Sequence, residues 1–347
     1  MMLEKSISKM TIVVRIPNWV GDVCMVMPTL AWLASAGHRM IVCGKPFARP
    51  FVESLRQHNT SVTFIPITGS ILPDVRTIRS EIRRRRDDNG DRGPYSGLLF
   101  PDSLTSALTF WLSGIQSLGH RDDGRSILLR WPVEKSDHQM HAVLKWYRLA
   151  RLAASKWALG LPEPYPVEPP DYTYSPDAED KRLVSAALDK CGLSEQPFVL
   201  IAPTATGLHK GRIKVWPGFN ELTQNLLASG YQVVACPPAH ELEQARLAAP
   251  GATVMEPLSL SAFSELARLA SLVVCNDSGV SHVAAMVGAR QLTLFGVTDP
   301  LETGPWNTHA VLMGEMGRWP STASVTETCL KLLSTACVDP HKIAGVF

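Results

Sequence analysis

The residues with the clearest chemical potential lie in one stretch, Leu272 to Gly288, LVVCNDSGVSHVAAMVG. A short apolar run, Leu272 to Cys275, stops at Asn276-Asp277-Ser278-Gly279, and a small-residue helical pattern (Val280, Val283, Ala284, Val287) begins there. The pattern reads as strand, polar turn and helix. Asp277 and Ser278 are residue types that cap a helix, and Gly279 lets a backbone or a ligand come close. At the carboxyl end of a parallel strand, such a turn aims free helix N–H groups into the crevice where α/β folds bind anions. A well-capped βα unit without a ligand needs the same residues, so the motif alone leaves scaffold and site level.

Polar groups recur at other strand ends of the same half. After the apolar run FVLIA come Pro203-Thr204-Ala205-Thr206-Gly207, a small-residue turn with hydroxyls and N–H groups suited to phosphate. Lys214-Val215-Trp216-Pro217 follows, with Pro217 placed for the first turn of a helix. After YQVVA comes Cys236-Pro237-Pro238-Ala239-His240-Glu241, which sets Glu241 where a ribose diol can be held. The run around Val254 ends in Glu256-Pro257-Leu258-Ser259-Leu260. Each residue has a plain reading: Thr206 as a turn residue, Lys214 as a surface charge, Glu241 as a first-turn acid. Their recurrence at one sheet edge makes the inventory of a nucleoside diphosphate site: hydroxyl, ammonium, carboxylate and helix N-terminus.

The first half offers one carboxylate of this kind. Thr11 to Ile16 (TIVVRI) reads as a buried parallel strand, followed by Pro17-Asn18-Trp19-Val20-Gly21-Asp22 and an apolar helical pattern to Leu33. Asp22 stands at the strand-to-helix junction, where a helix N-cap is the plain alternative to a chemical role. The turn has neither the G-x-G-x-x-G of a dinucleotide fold nor a G-x-x-x-x-G-K loop, which disfavours a dehydrogenase or a P-loop enzyme. No Asp-x-Asp pair and no His/Cys cluster with ligand spacing occurs, so no metal is expected.

These residues must be positioned by a chain of 347 residues that is 45% hydrophobic and 19% charged, enough for two domains with full cores. The net charge of +2 lacks the footprint of a nucleic-acid binder. The dense run Arg83 to Arg86, followed by Asp87 and Asp88, reads as a solvated loop or as a basic edge near anionic headgroups. The seven cysteines show no Cys-x-x-Cys spacing and fit reduced, buried positions of a cytoplasmic protein. No run is long enough to span a membrane, and Val13 to Val26 is too broken by Arg15, Asn18 and Asp22 for a signal peptide.

Strands are predicted at 11–16, 39–43, 62–65 and 97–100, with a fifth at Leu118 to Arg121 followed by a loop, and a long helix over 138–159. A second series begins at Phe198 to Ala202 and continues at 231–235, 253–255, 272–275 and 291–295. Alternating β and α segments imply α/β architecture with parallel sheets. Gly160 to Pro176 holds six of the 26 prolines and reads as a linker. The expected division is therefore residues 1–160, a linker at 161–176, a second domain at 177–320 and a C-terminal helix within 321–347 that crosses back onto the first domain.

RIPNWVGDVCMVMPTL, Lys214-Val215-Trp216-Pro217, PPAHE and NDSGVSHVAAMVGARQLTLFGVTDP together resemble the ADP-heptose:lipopolysaccharide heptosyltransferases, glycosyltransferase family 9. NWVGD and the segment from Gly119 to Ser126 lean toward the branch that adds the second heptose. The resemblance implies a GT-B fold, two Rossmann-like parallel-sheet domains facing across a cleft. It further implies a nucleotide-sugar donor, ADP-heptose, on the C-terminal domain, and a lipid A-Kdo or heptose acceptor of the lipopolysaccharide inner core on the N-terminal one. Position by position, Asp22 matches the general base and Lys214 a lysine near the diphosphate and sugar. Glu241 matches the ribose-binding acid, Leu258 an adenine contact, Asp277 a sugar contact, and Ser278-Gly279 the phosphate turn. Thr204 and Thr206 match diphosphate-binding hydroxyls, and His282 joins the donor set. Asn18, Trp19, Arg121 and Arg125 are the acceptor-side candidates. The stretch Gly207 to Ile213 is longer and more basic than the family pattern. No cofactor beyond the donor substrate, a monomer, and peripheral contact with the inner membrane surface are expected. A different nucleotide-sugar enzyme of the same architecture, an epimerase or a non-heptose transferase, and a non-catalytic nucleotide-binding protein are the competing readings.

Overall fold

The computed structural model describes residues 10–89, 95–122, 124–136, 138–194, 196–205, 208–209 and 211–336. The chain forms two compact units, Met1–Tyr172 and Thr173–Phe347, and the division falls inside the proline-rich segment.

The first unit has the strands β1 (Thr11–Arg15), β2 (Arg39–Gly44), β3 (Val62–Pro66), β4 (Tyr95–Leu99), β5 (Gln116–His120) and β6 (Trp131–Val133). Its helices are α1 (Val20–Ala34), α2 (Arg49–Ser54), α3 (Ile71–Asn89), α4 (Leu104–Leu112) and α5 (Ala142–Trp157). All strand pairs are parallel, in the order β3-β2-β1-β4-β5-β6. This is the doubly wound order, with a switch point beside β1. β1 is buried throughout, so an unbroken apolar run and not an alternating one marks it. One core layer joins Val13, Ile41 and Leu99 of the sheet to Ile78 and Ile82 of α3 and Ala107 and Phe110 of α4.

The second unit repeats the plan. It comprises α6 (Ala178–Lys190), β7 (Phe198–Ala202), β8 (Leu208–His209), β9 (Arg212–Ile213), α7 (Phe219–Ala228), β10 (Gln232–Ala235), α8 (Leu242–Ala248), β11 (Thr253–Val254) and α9 (Leu260–Leu269). It continues with β12 (Leu272–Asn276), α10 (Gly279–Met286), β13 (Gln291–Leu294), α11 (Pro300–Thr303), β14 (Ala310–Met313) and α12 (Thr322–Ala336). Its main sheet is again six-stranded, β11-β10-β7-β12-β13-β14, with every pair parallel.

Three expectations are corrected. The run Arg83 to Arg86 is not a loop but part of α3. Val75, Ile78 and Ile82 anchor that helix at helical spacing, and Glu81 pairs with Arg84 and Arg85 one turn on. The apolar face of α12 packs within the second unit itself, where Val325, Cys329 and Leu333 are buried in the core with Trp216, Phe219 and Leu222. β6 and β14 were not expected at all. Both are partly exposed edge strands: β6 is only three residues long and carries Pro132, and β14 is the four-residue run AVLM.

Five of the six described cysteines are buried and all six are free thiols. Burial pushes Cys43, Cys275 and Cys329 up to about 12, which keeps them protonated and unreactive. Among the described residues no helix is long and apolar enough to cross a membrane.

Candidate functional site

The carboxyl edge of the second sheet is organised by Asn276, the fully buried last residue of β12. Its Oδ1 accepts the backbone N–H of Trp216 at 2.8 Å, and its Nδ2 donates to the carbonyl of Ala202, at the end of β7, at 3.2 Å. One amide side chain thus joins two neighbouring strand ends to the Lys214–Pro217 loop. The Trp216 ring is buried, meets Phe219 edge-on at 5.3 Å and donates from Nε1 to the Pro320 carbonyl at 2.9 Å. Gly218 makes room for it, since a Cβ there would come within 2.3 Å of the ring.

With the loop fixed in this way, Lys214 Nζ lies 3.2 Å from Asp277 Oδ2. The same oxygen accepts from Thr298 Oγ1 at 2.5 Å, and Asp277 is buried. Asp277 therefore does not cap α10, because its carboxylate is engaged by an ammonium and a hydroxyl. Ser278 is the N-cap residue, extended at φ −152°, and it makes no side-chain cap bond. Its buried Oγ has no hydrogen-bond partner. The first N–H groups of α10 are thus left without a side-chain cap, next to Gly279 and the Lys214–Asp277 pair. His282 is buried on the same helix.

Further along the edge, Thr204 donates its hydroxyl to Glu241 Oε2, and both side chains are buried. His240 Nε2 lies 3.6 Å from Glu241 Oε1. Glu241 ends a short 3-10 turn and leads into α8. Leu258 is half-buried just before Ser259, whose Oγ accepts from Ala262 N to cap α9. Thr206 lies outside the described residues. The extra length before Lys214 forms a small antiparallel ribbon, Leu208 opposite Ile213 and His209 opposite Arg212. Among the described residues no three His, Cys, Asp or Glu side chains gather as a metal-holding group.

In the first unit, Asp22 is the third residue of α1 and half-buried. The N-cap is Trp19, which makes no side-chain cap bond and is 75% exposed. Asp22 is thus a first-turn acid and not the cap, where a carboxylate complements the helix dipole. The turn before it is pinned by Arg15, the last residue of β1. Its guanidinium donates to the Ile16 carbonyl and, at 2.6 Å, to Asn18 Oδ1. Burial pulls the Arg15 pKa down to about 10.

Arg125 is not an acceptor-side group. Its side chain is 0% exposed, and it donates to the carbonyls of His120 (2.8 Å), Pro101 (2.5 Å) and Ser103 (3.3 Å). It also lies 3.3 Å from Asp102, which accepts in addition from His120 Nδ1 at 3.2 Å and from Lys135 at 3.0 Å. Burial raises the Asp102 carboxyl, but the bonds and charges of His120 and Lys135 outweigh it and hold the pKa at about 2. Arg121 is exposed and paired with Glu134. Asp102, His120 and Asn276 were missed by the sequence reading. Each stands at or just past the end of an apolar strand, the criterion that had found Glu241 and Asp277.

Comparison with known proteins identifies the family and the fold. The family model for glycosyltransferase family 9 (heptosyltransferase) matches residues 96–333, more than half of the chain. Lipopolysaccharide heptosyltransferase 2 of Escherichia coli is 26% identical over 318 residues, covering 85% of each chain. Lipooligosaccharide heptosyltransferase 2 of Haemophilus influenzae is 27% identical over 229 residues, 62% of this chain and 64% of that protein. The solved structure of E. coli ADP-heptose LPS heptosyltransferase II superposes with a TM-score of 0.73 at 24% identity, covering 94% of this chain and 99% of that one. The fold is accordingly GT-B, built of two Rossmann-like units. By sequence and by architecture, the chain belongs to glycosyltransferase family 9, the heptosyltransferases.

Proposed function

We propose that this glycosyltransferase moves a heptose, with inversion, from ADP-heptose to a sugar hydroxyl of the lipopolysaccharide inner core, in the manner of the second heptosyltransferase. The observation that carries the donor half is the Lys214–Asp277 pair beside the uncapped start of α10, held in place by Asn276. A diphosphate is the ligand that such a combination of ammonium and free helix N–H groups suits. Glu241 binds the ribose diol, with Thr204 orienting the carboxylate, and Leu258 packs on the adenine. Thr206 and His282 complete the donor set.

The reaction is a single displacement. Asp22 accepts the proton of the acceptor hydroxyl as its oxygen attacks the anomeric carbon, and the bond to the β-phosphate oxygen breaks. Negative charge grows on the leaving ADP, where Lys214 and the N–H groups of Ser278 and Gly279 stabilise it. Asp277 keeps the lysine aimed and contacts the sugar. Asn18 and Trp19, beside Asp22, and Arg121 contact the acceptor. Because that acceptor is a lipid A-Kdo glycolipid, the enzyme works as a monomer at the cytoplasmic face of the inner membrane, and it needs no cofactor beyond its donor.

Thermal-shift titration with ADP against UDP tests the donor assignment. ADP raising the melting temperature at lower concentration supports it; a UDP preference contradicts the adenine site and favours a different nucleotide-sugar enzyme.

A further inference from the structure

α3 carries more charge than the site described above uses. Arg76, Arg79 and Arg83 lie three and four residues apart, so they share one stripe of the helix, with Leu72 one turn before and Arg86 three residues after. All five are exposed, and Leu72 is 66% exposed. Arg84 and Arg85 are occupied by Glu81, and Arg86 lies over the Tyr95 ring at 5.5 Å from its centroid. Arg76, Arg79 and Arg83 take no ion pair among the described residues. Asp74, the acid at the start of the helix, is buried and accepts from the backbone of Thr68 and Gly69.

The neighbouring helix supplies the apolar counterpart. α4, LTSALTFWL, has no charged residue, and Leu104, Leu108 and Trp111 share one of its faces. Leu104 and Trp111 are exposed, Trp111 by 54%. Ile78 and Ile82 of α3 and Ala107 and Phe110 of α4 are buried in the same core layer on the same side of the sheet. The outward sides of both helices therefore look away from that sheet together. Arginines with no ion pair among the described residues, beside exposed tryptophan and leucine, form the pattern of a surface that lies on anionic headgroups with its apolar tips in the interface.

We propose that the outer face of α3 and α4 docks this enzyme onto an anionic lipid bilayer. The inference rests on the reading of the acceptor as a membrane glycolipid and adds which surface meets the membrane. Charge complementarity selects the occupant. A second copy seated on this face would set arginine against arginine, and the apolar stripe has no role against a nucleic-acid backbone.

The test is flotation of the full chain with phosphatidylcholine vesicles, with and without phosphatidylglycerol, alongside transfer to an acceptor glycolipid in the vesicles and to its soluble, delipidated form. Binding is expected only with phosphatidylglycerol and weakens as salt rises. The triple variant Arg76→Gln/Arg79→Gln/Arg83→Gln should lose roughly a hundredfold in partitioning, given about a fivefold loss per basic residue at the surface. Trp111→Ala should lose a smaller factor. Both variants should keep the wild-type melting temperature and the rate on the soluble acceptor, since no described contact of the site involves them. Equal binding to neutral vesicles, or a triple variant that floats like the wild type, overturns the proposal. A wild type that acts on the soluble acceptor yet ignores anionic vesicles overturns the docking surface alone. One that binds those vesicles but transfers to neither acceptor upholds the surface and overturns the transferase reading.

Discussion

Asn276 Oδ1 accepts the backbone N–H of Trp216 at 2.8 Å, and through that bond the last residue of β12 sets the position of Lys214 two residues before the tryptophan. Asn276→Ala leaves the Trp216 N–H and the Ala202 carbonyl without their partner in a buried place. It should cost about 1–3 kcal/mol of stability, the usual cost of a buried unsatisfied group. Donor KM should rise as the lysine loop loosens. Asn276→Asp keeps the acceptor for Trp216 and, when protonated, can still donate to the Ala202 carbonyl, so in a chemical-denaturation series at acid pH, where the cost of a buried carboxylate is absent, it should fall between wild type and alanine. Equal losses in both variants would argue against the Trp216 bond as the determining one.

The Lys214–Asp277 pair predicts a split between binding and chemistry. Lys214→Ala removes a cation from the leaving diphosphate and should lower kcat by about 10²–10³, as loss of one electrostatic stabiliser does. Asp277→Asn keeps the Thr298 bond but frees the lysine, and should lower kcat less. Rapid-quench kinetics with saturating donor separates these values from product release. A Lys214→Ala enzyme with unchanged kcat would remove the lysine from the transition state.

Asp22→Asn should reduce turnover by about 10²–10⁴, the range for a general base, while ADP binding by calorimetry stays near wild type. The residue is not the α1 cap, so the substitution removes no cap bond and the fold should be retained. Near-normal turnover would exclude Asp22 as the base.

Most of the architecture was legible because eight of its strands are central in their sheets. FVLIA and LVVC are continuous apolar runs, the pattern of strands in a sheet covered on both faces. β6 was not legible because it is three residues long and Pro132 argues against a strand, whereas the four-residue run AVLM of β14 was passed over. Local residue type also misled at Arg83–Arg86, where a dense charge run hid a helix whose apolar face is carried by Val75, Ile78 and Ile82. At the site, polar residues following strand ends brought out Asp277, Glu241 and Lys214, whereas Asn276 was passed over as part of a turn. Its role depends on Trp216 and Ala202, 60 and 74 residues away in sequence. Arg125 was misjudged for the same reason, since only tertiary structure shows its charge turned inward onto Pro101, Ser103 and His120.

The Asp102 cluster makes a pH prediction. Its folded pKa of about 2 lies below the usual 3.8, so the pairing stabilises the fold fully above pH 3.8 and is lost as pH falls through 2. Asp102→Asn should therefore melt lower than wild type at neutral pH, by a modest amount because the carboxylate is partly exposed. The gap should close between about pH 4 and pH 2. A gap that persists unchanged at the acid end would assign the loss to packing and not to charge.

The central claim is heptosyl transfer from ADP-heptose, and mass spectrometry of a defined, core-truncated acceptor after incubation with the enzyme tests it most directly. The wild-type enzyme should add one heptosyl residue with release of ADP, and Asp22→Asn should add almost none. An acceptor whose mass is unchanged with ADP-heptose, but which gains a sugar from a uridine donor, would contradict the claim.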